Sequence, residues 1–183
     1  MKLGRLLARL VIGALFIGHG TQKWFGWFGG PGLEKTTGMM DSLGMRPGRR
    51  NALAASAAET IGGTMIALGA LTPLAAASLI ATMLTAIRTV HLEKGIWAAN
   101  GGYEYNLTLI AALLVLVDGG PGSPSVDAAL GIEDTGGSWV LAALAGGAAG
   151  AALAAAVADR EAPVEMPESP SSESEGADLR AAA

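Results

Sequence analysis

Long apolar segments separated by short polar connections dominate the pattern of this 183-residue chain. Five such segments lie at residues 1–18, 52–71, 74–90, 103–117 and 139–157. About 20 consecutive apolar residues suffice for a helix that spans a bilayer, and short connections make successive helices antiparallel neighbours. The pattern therefore predicts an all-α integral membrane protein, with a four-helix bundle in residues 1–130 and a fifth transmembrane helix rich in Ala and Gly.

The start of the chain admits two interpretations. Lys2, Arg5 and Arg9 accompany the first apolar run, as the basic region of a signal peptide does. No small-x-small cleavage site follows, however, and several more apolar segments do. We therefore favour a retained first membrane helix, in which Arg5 and Arg9 extend toward the nearer membrane surface.

Three further regions have patterns of their own. The polar connection at residues 31–51 favours a short amphipathic helix lying in the membrane interface. Residues 131–158 form a linker and an apolar helix with Gly146 and Gly150 in a G-x-x-x-G pattern, which lets membrane helices approach closely. Residues 159–183 are acidic and rich in Pro, Ser and Glu, and this composition predicts a disordered tail.

Composition and charge support the membrane assignment and exclude several functions. The chain is 51% hydrophobic and only 15% charged, whereas soluble domains are about a quarter charged. The net charge of −4 arises in the acidic tail, so the rest is close to neutral and nucleic-acid binding is not expected. There is no cysteine, which excludes disulfides, thiolate catalysis and iron–sulfur ligation by this chain. Any sulfur-redox step would need a partner's cysteine.

Polar residues gather at the segment ends that antiparallel packing places in one membrane leaflet. They are His19, Lys23, Glu59, Arg88, His91, Glu104 and Asn106. Glu59 is the deepest, roughly 12 Å along its helix. Because charges inside a membrane face the bundle interior and pair, we expect Glu59 to pair with Arg88, Lys23 or a histidine. The alternative is that Glu59 and Arg88 are only a buried polar clamp that fixes the packing of the helices.

These residue types suggest a site for proton transfer and ligand binding. The candidate catalytic residues are Glu59, His19, His91 and Glu104, which can exchange protons. The candidate ligand-binding residues are Lys23, Arg88, Trp24, Trp27 and Asn106. Other interpretations remain open: the histidines can be ordinary interfacial residues, and the aromatic run can be an interface belt. Two histidines without a characteristic spacing are weak evidence for haem, and no metal site is predicted.

Several ordered motifs carry a resemblance to a known family. Residues 9–32 read RLxxGxxFxxHGxxKxFGWFGGxG, and AExxGG follows at residues 58–63. HxxKG lies at residues 91–95 and NGGYEYN at residues 100–106. A Gly-Pro-Gly-x-x-Ser-x-Asp stretch completes a pattern that resembles the DoxX-like family of small integral membrane proteins.

The resemblance implies a four-helix membrane bundle in a bacterial plasma membrane. Some members are similar to a subunit of thiosulfate:quinone oxidoreductase, and others associate with redox-defence enzymes. By this resemblance we expect a protein partner in a redox complex and a non-covalently bound quinone, with a homo-oligomer as a further possibility. The fifth helix and the acidic tail depart from the four-helix pattern of the family.

Two functions follow from the sequence. The first is a membrane oxidoreductase subunit with a quinone-type pocket in one leaflet. The second is a non-catalytic scaffold that docks a redox enzyme through residues 31–51, the G-x-x-x-G helix and the tail. A transporter is disfavoured because the segments show no inverted repeat. Membrane orientation stays open, since counting bases places the polar end in the cytoplasm while a basic N-terminus ordinarily stays inside.

Overall fold

A computed structural model describes residues 3–132 and 134–160 of the chain, with the side chains of residues 159 and 160 excepted. That part is helical and contains no strand, which confirms the predicted all-α class. The helices are α1 Leu3–Phe25, α2 Gly32–Ser42, α3 Gly48–Leu68, α4 Thr72–Ala86, α5 Glu104–Gly119, α6 Val126–Leu130 and α7 Gly137–Arg160. The predicted disordered tail lies almost entirely outside the described residues.

Three helices are long and apolar enough to cross a membrane. They are Leu3–Phe25, Thr72–Lys94 and Gly137–Ala158, the second because α4 continues through a π turn at Ile87–His91 and a 3-10 turn at Leu92–Lys94. α3, which carries Arg49, Arg50 and Glu59, and α5, which has only 16 residues, are not among these three helices. Both nevertheless pack beside the long apolar helices.

Helices α1, α3, α4 and α5 form a ring, and α7 packs on its outside. α1 packs on α3, α3 on α4, and α4 on α5, while α5 and α1 touch only sparsely. The core that they share contains Phe16, Ile66, Leu79, Leu113 and Val117. α7 lies against α4 and α5. Large apolar residues are exposed on the outer faces, as expected where lipid replaces water as the solvent.

Contact between the backbones of α1 and α3 depends on small residues. A Cβ atom on Gly13 would lie 2.6 Å from the carbonyl oxygen of Gly63, and one on Gly20 would lie 2.8 Å from the carbonyl oxygen of Ser56. Gly13 and Gly20 are seven residues apart, and so are Ser56 and Gly63, so the close contact repeats every two turns. Small residues have this role in many membrane helix pairs.

The glycine stripe of α7 is occupied within the chain. A Cβ on Gly147 would lie 2.7 Å from Cβ of Ile80, and one on Gly150 would lie 2.9 Å from Cβ of Ala81. Gly146 faces α4 as well, since a Cβ on Gly146 would lie 3.3 Å from Cβ of Ala77. The G-x-x-x-G pattern therefore packs α7 onto α4, and docking of a partner by α7 would use its other faces.

Arg9 does not extend to the membrane surface, and in this respect the expectation for it was wrong. Its side chain is only 3% exposed. Its guanidinium donates to three carbonyl oxygens, those of Ala67 at 2.9 Å, Pro121 at 2.9 Å and Pro124 at 2.6 Å. The Arg9 side chain points into the bundle because the loop after α5 folds back and offers these carbonyl oxygens as acceptors. Few donors of the buried guanidinium are therefore left without a partner.

Asp127, also buried, completes this polar cluster. Its carboxylate accepts the N–H groups of Leu71 at 2.7 Å and Thr72 at 3.1 Å, and the Thr72 hydroxyl at 2.8 Å. The first N–H groups of a helix have no partner within it, so Asp127 caps α4 from the distant helix α6. The loop after α5 is thereby fixed to the end of the bundle opposite to Lys23 and Glu59.

Two glycines on α1 give a matched test of the α1–α3 contact. Gly20→Ala should destabilise the protein by about 1–3 kcal/mol, because the added methyl group overlaps the backbone of α3. Gly18→Ala adds a methyl group with no atom within 4 Å, and should stabilise by roughly 0.5–1 kcal/mol through its higher helix propensity. Thermal unfolding of both variants in detergent measures the difference. Equal effects would contradict the close packing.

Candidate functional site

An ion pair between Lys23 and Glu59 joins α1 to α3. Lys23 lies in the last turn of α1, and Glu59 lies on the inner face of α3, near its middle. The ammonium donates to Oε2 of the carboxylate. The Glu59 side chain is 5% exposed and that of Lys23 is 23% exposed. Of the three partners expected for Glu59, the structure brings Lys23 to it.

Lys23, the more exposed residue of the ion pair, keeps N–H bonds that Glu59 does not use. A lysine ammonium has three N–H bonds, and Glu59 takes one of them. The other two are available to an acceptor such as a carbonyl oxygen. Because a buried carboxylate without a counter-ion is strongly unfavourable, the ion pair also holds the Lys23 ammonium in a fixed orientation. The arrangement can therefore donate hydrogen bonds, stabilise negative charge and exchange a proton.

The two histidines occupy different surroundings. His19 is exposed on α1, and its ring centroid is 6.3 Å from that of Tyr105, nearly edge-on, where α1 meets α5. His91 is partly buried, with Nδ1 2.7 Å from the carbonyl oxygen of Gly101. A carbonyl only accepts, so Nδ1 carries the proton, and in the neutral ring Nε2 is then free to accept one.

Three other predicted site residues bind groups outside the predicted site. Glu104 is exposed, and its Oε2 accepts the N–H of Ala98 at 2.9 Å, which closes the loop before α5. Asn106 is buried, with Nδ2 3.4 Å from the sulfur of Met83. Arg88 is exposed, and Nη2 lies 3.6 Å from the sulfur of Met45. The alternative clamp between Glu59 and Arg88 is not formed, since Glu59 pairs with Lys23.

The aromatic residues after α1 form a stacked, outward-facing group. The rings of Trp24 and Phe25 are parallel with centroids 5.2 Å apart, and Trp27 meets Phe28 edge-on at 6.4 Å. Phe28 is 78% exposed and adopts a left-handed backbone conformation with φ 53°. This group can anchor the end of α1 in the interface.

The order of the helices places all of the predicted site residues at one end of the bundle. Within the described part of the chain, the ion pair of Lys23 with Glu59 is the one hydrogen bond or ion pair that joins two of them. Within that part, no group of three or more His, Cys, Asp or Glu residues could hold a metal ion. Two clefts lie away from these residues, one between α3 and α4 and one beside Arg5.

Sequence reasoning missed Tyr105 as the neighbour of His19, and it missed the cluster around Arg9 and Asp127. Asp127 was visible only as the last residue of a motif. The signal that could have found the cluster is the combination of a charge in an apolar helix with a distant Gly-Pro-Gly loop, because a buried charge needs acceptors from somewhere.

Comparison with known proteins identifies the family. The profile of the DoxX family matches residues 4–92. A Bacillus subtilis (strain 168) protein named "Putative oxidoreductase CatD" is 30% identical over 115 residues, which cover 63% of this chain and 79% of that protein. The chain belongs to the DoxX family. The DoxX match contains Lys23, Glu59 and His91 and ends before α5, and no solved structure matches the chain.

The burial of the ion pair predicts unequal effects of its two partners on stability. Lys23→Met should destabilise by about 3 kcal/mol, because it leaves a buried carboxylate without a counter-ion. Glu59→Gln should have a smaller effect, because the partly exposed ammonium of Lys23 can turn toward water. The double variant should recover most of the loss. Thermal unfolding in detergent measures all three, and losses that simply add would show that the two residues are not coupled.

Proposed function

We propose that this DoxX-family chain is the membrane subunit of an oxidoreductase in a bacterial plasma membrane, with a quinone-type ligand binding at Lys23 and Glu59. The observation that carries this proposal is the ion pair inside a bundle of apolar helices. Intramembrane ionisable residues are a functional hypothesis by default. The Bacillus subtilis relative, whose name contains the word oxidoreductase, adds support.

The proposed reaction takes up two electrons and two protons for each quinone and forms two O–H bonds. The electrons come from a redox group on a partner protein, since the chain has no cysteine to hold an iron–sulfur cluster. The free N–H bonds of Lys23 donate to a quinone carbonyl oxygen and stabilise the charge that develops there. One proton passes from Lys23 to that oxygen, and Glu59 orients the ammonium and takes part in its reprotonation. The other carbonyl oxygen takes the second proton from water on the aqueous side of the site.

Other residues at this end of the bundle have supporting roles in the proposal. His19, His91 and Glu104 would carry protons between the aqueous side and the pair, for which Nε2 of His91 is suited. Arg88 and Asn106 would bind polar parts of the ligand. Trp24 and Trp27 would border it at the level of the interface.

Quinone-dependent turnover in membrane vesicles that contain the chain and its native partners tests this proposal. Glu59→Gln should lower kcat by roughly 100-fold or more, the usual effect of losing a proton-transfer group. Lys23→Arg should keep part of the activity and Lys23→Met should lose it, because only the first retains a cation. Asp118→Asn, an exposed carboxylate at the opposite end of the bundle, is the matched control. Full turnover in Glu59→Gln would overturn the role of the pair.

An accessory role is the second candidate, and the exposed surface of α2 favours it. Glu34, Lys35 and Met39 are exposed on this helix, beside the aromatic group at the end of α1. In this role the chain holds a soluble redox enzyme at the membrane, chiefly through residues 31–51. The Lys23–Glu59 pair then only fixes α1 on α3.

Replacement of the exposed α2 side chains separates the two roles. If the chain is a docking subunit, the combined change of Glu34, Lys35 and Met39 to Ala should abolish co-purification of its partner enzyme. Glu59→Gln should then leave co-purification intact. Thr64→Ala, an exposed change on α3, controls for general effects. Retained co-purification after the triple change, together with lost turnover in Glu59→Gln, would exclude the accessory role.

A further inference from the structure

A cleft of about 330 Å³ lies at the end of the bundle opposite to the Lys23–Glu59 pair. It lies among the N-terminal turn of α1, the loop after α5, and the region around α6. Its lining residues are Arg5, Gly119, Gly120, Pro121, Gly122, Ala128, Gly131, Ile132 and Thr135. Among the described residues, Arg5 is the one charged side chain that lines this cleft.

Arg5 uses one side of its guanidinium and leaves the other side unused. Nη1 donates to the carbonyl oxygens of Gly119 and Gly120. Nε is buried and has no hydrogen-bond partner among the described residues, and no bond is formed by Nη2 there either. Nε and Nη2 present two parallel N–H bonds, and this is the edge with which arginine binds phosphate or carboxylate through two hydrogen bonds.

The flat face of the Arg5 guanidinium lies against a position without a side chain. A Cβ on Gly122 would lie 3.3 Å from Nε, 3.4 Å from Cζ and 3.5 Å from Nη2 of Arg5, which places it above the plane of the group. Gly122 has φ 71°, a conformation that favours glycine. The glycine therefore lets the loop pass close over the guanidinium, and it does not occupy the edge formed by Nε and Nη2. A buried donor without a partner in a native structure needs an explanation, such as an absent ion or ligand.

The position of Arg5 along α1 favours one class of anion as the ligand. α1 has 23 residues and can cross the bilayer, and Arg5 is in its first turn. The end of a membrane-spanning helix lies in the headgroup region, where phospholipid phosphates are concentrated. The apolar part of the lining, Pro121, Ala128 and Ile132, fits the glycerol and upper acyl portions of a lipid better than it fits a small hydrated ion.

We propose that this cleft binds the phosphodiester group of a membrane phospholipid through Nε and Nη2 of Arg5. Among the described residues, three acids are next in sequence to lining residues and reduce the local positive potential: Asp118, Asp127 and Asp134. A phosphodiester, with a single negative charge, tolerates them better than the dianion of free phosphate does. The bound lipid completes the hydrogen bonds of Arg5 and holds the loop after α5 against α1.

Native mass spectrometry of the detergent-purified full chain, titrated with phosphatidylglycerol, tests the site. Arg5→Met should weaken the tightest lipid-binding step roughly tenfold, which is the effect expected for loss of charged hydrogen bonds. Arg49→Met, an exposed change at the other end of the bundle, should bind as the native chain does. Inorganic phosphate at the same concentration should not compete with the lipid.

A second pair of variants avoids any change in the bonds that Arg5 makes to the loop. Ala128 is exposed and lines the cleft, so Ala128→Glu should place a carboxylate beside Arg5 and abolish the tight step. Ala128→Gln, of similar size but neutral, should retain most of the binding. If Arg5→Met and Ala128→Glu bind lipid as tightly as the native chain, the site is refuted. Equal competition by inorganic phosphate would overturn the lipid as occupant.

Discussion

The contact of α1 with α3 is the constraint on which the rest of the bundle depends. Gly13, Gly20 and Gly63 let the two backbones approach to a distance at which no side chain fits between them. That proximity brings the end of α1 to the middle of α3, so Lys23 reaches Glu59. A wider separation would leave the carboxylate in an apolar interior without a counter-ion. Packing between small residues thus makes the charged pair possible.

At the opposite end, three charged side chains fix the loop after α5. Arg9 binds carbonyl oxygens of that loop and of α3, Asp127 caps the first turn of α4, and Arg5 binds Gly119 and Gly120. The membrane protein therefore has polar groups at both ends of an apolar middle. At one end charged side chains bind mainly backbone groups, and at the other end a lysine and a glutamate side chain bind each other.

The sequence allowed prediction of the helices and of the end of the bundle at which polar residues gather. Apolar segment length and the antiparallel order of short-linked helices are properties of the chain itself. The partner of Glu59 was not predictable, because Lys23 and Arg88 were both within reach along the sequence. Which of the two side chains points toward Glu59 depends on the rotation of each helix about its axis. The π turn at Ile87–His91 alters the face on which Arg88 lies. The position of Arg9 depends on how a distant loop folds back, which periodicity does not describe.

The packing of α7 against α4 limits the sides from which a molecule dissolved in the bilayer can reach the bundle. α7 covers the side formed by α4 and α5, and the small residues of α1 and α3 close the side that those two helices form. The sparse contact between α1 and α5, where His19 meets Tyr105, lies between these two closed sides, and the cleft between α3 and α4 lies on the side opposite to it. Close packing of small residues thus closes two of the four sides of the bundle, and leaves the α1–α5 side and the α3–α4 side for contact with molecules dissolved in the bilayer.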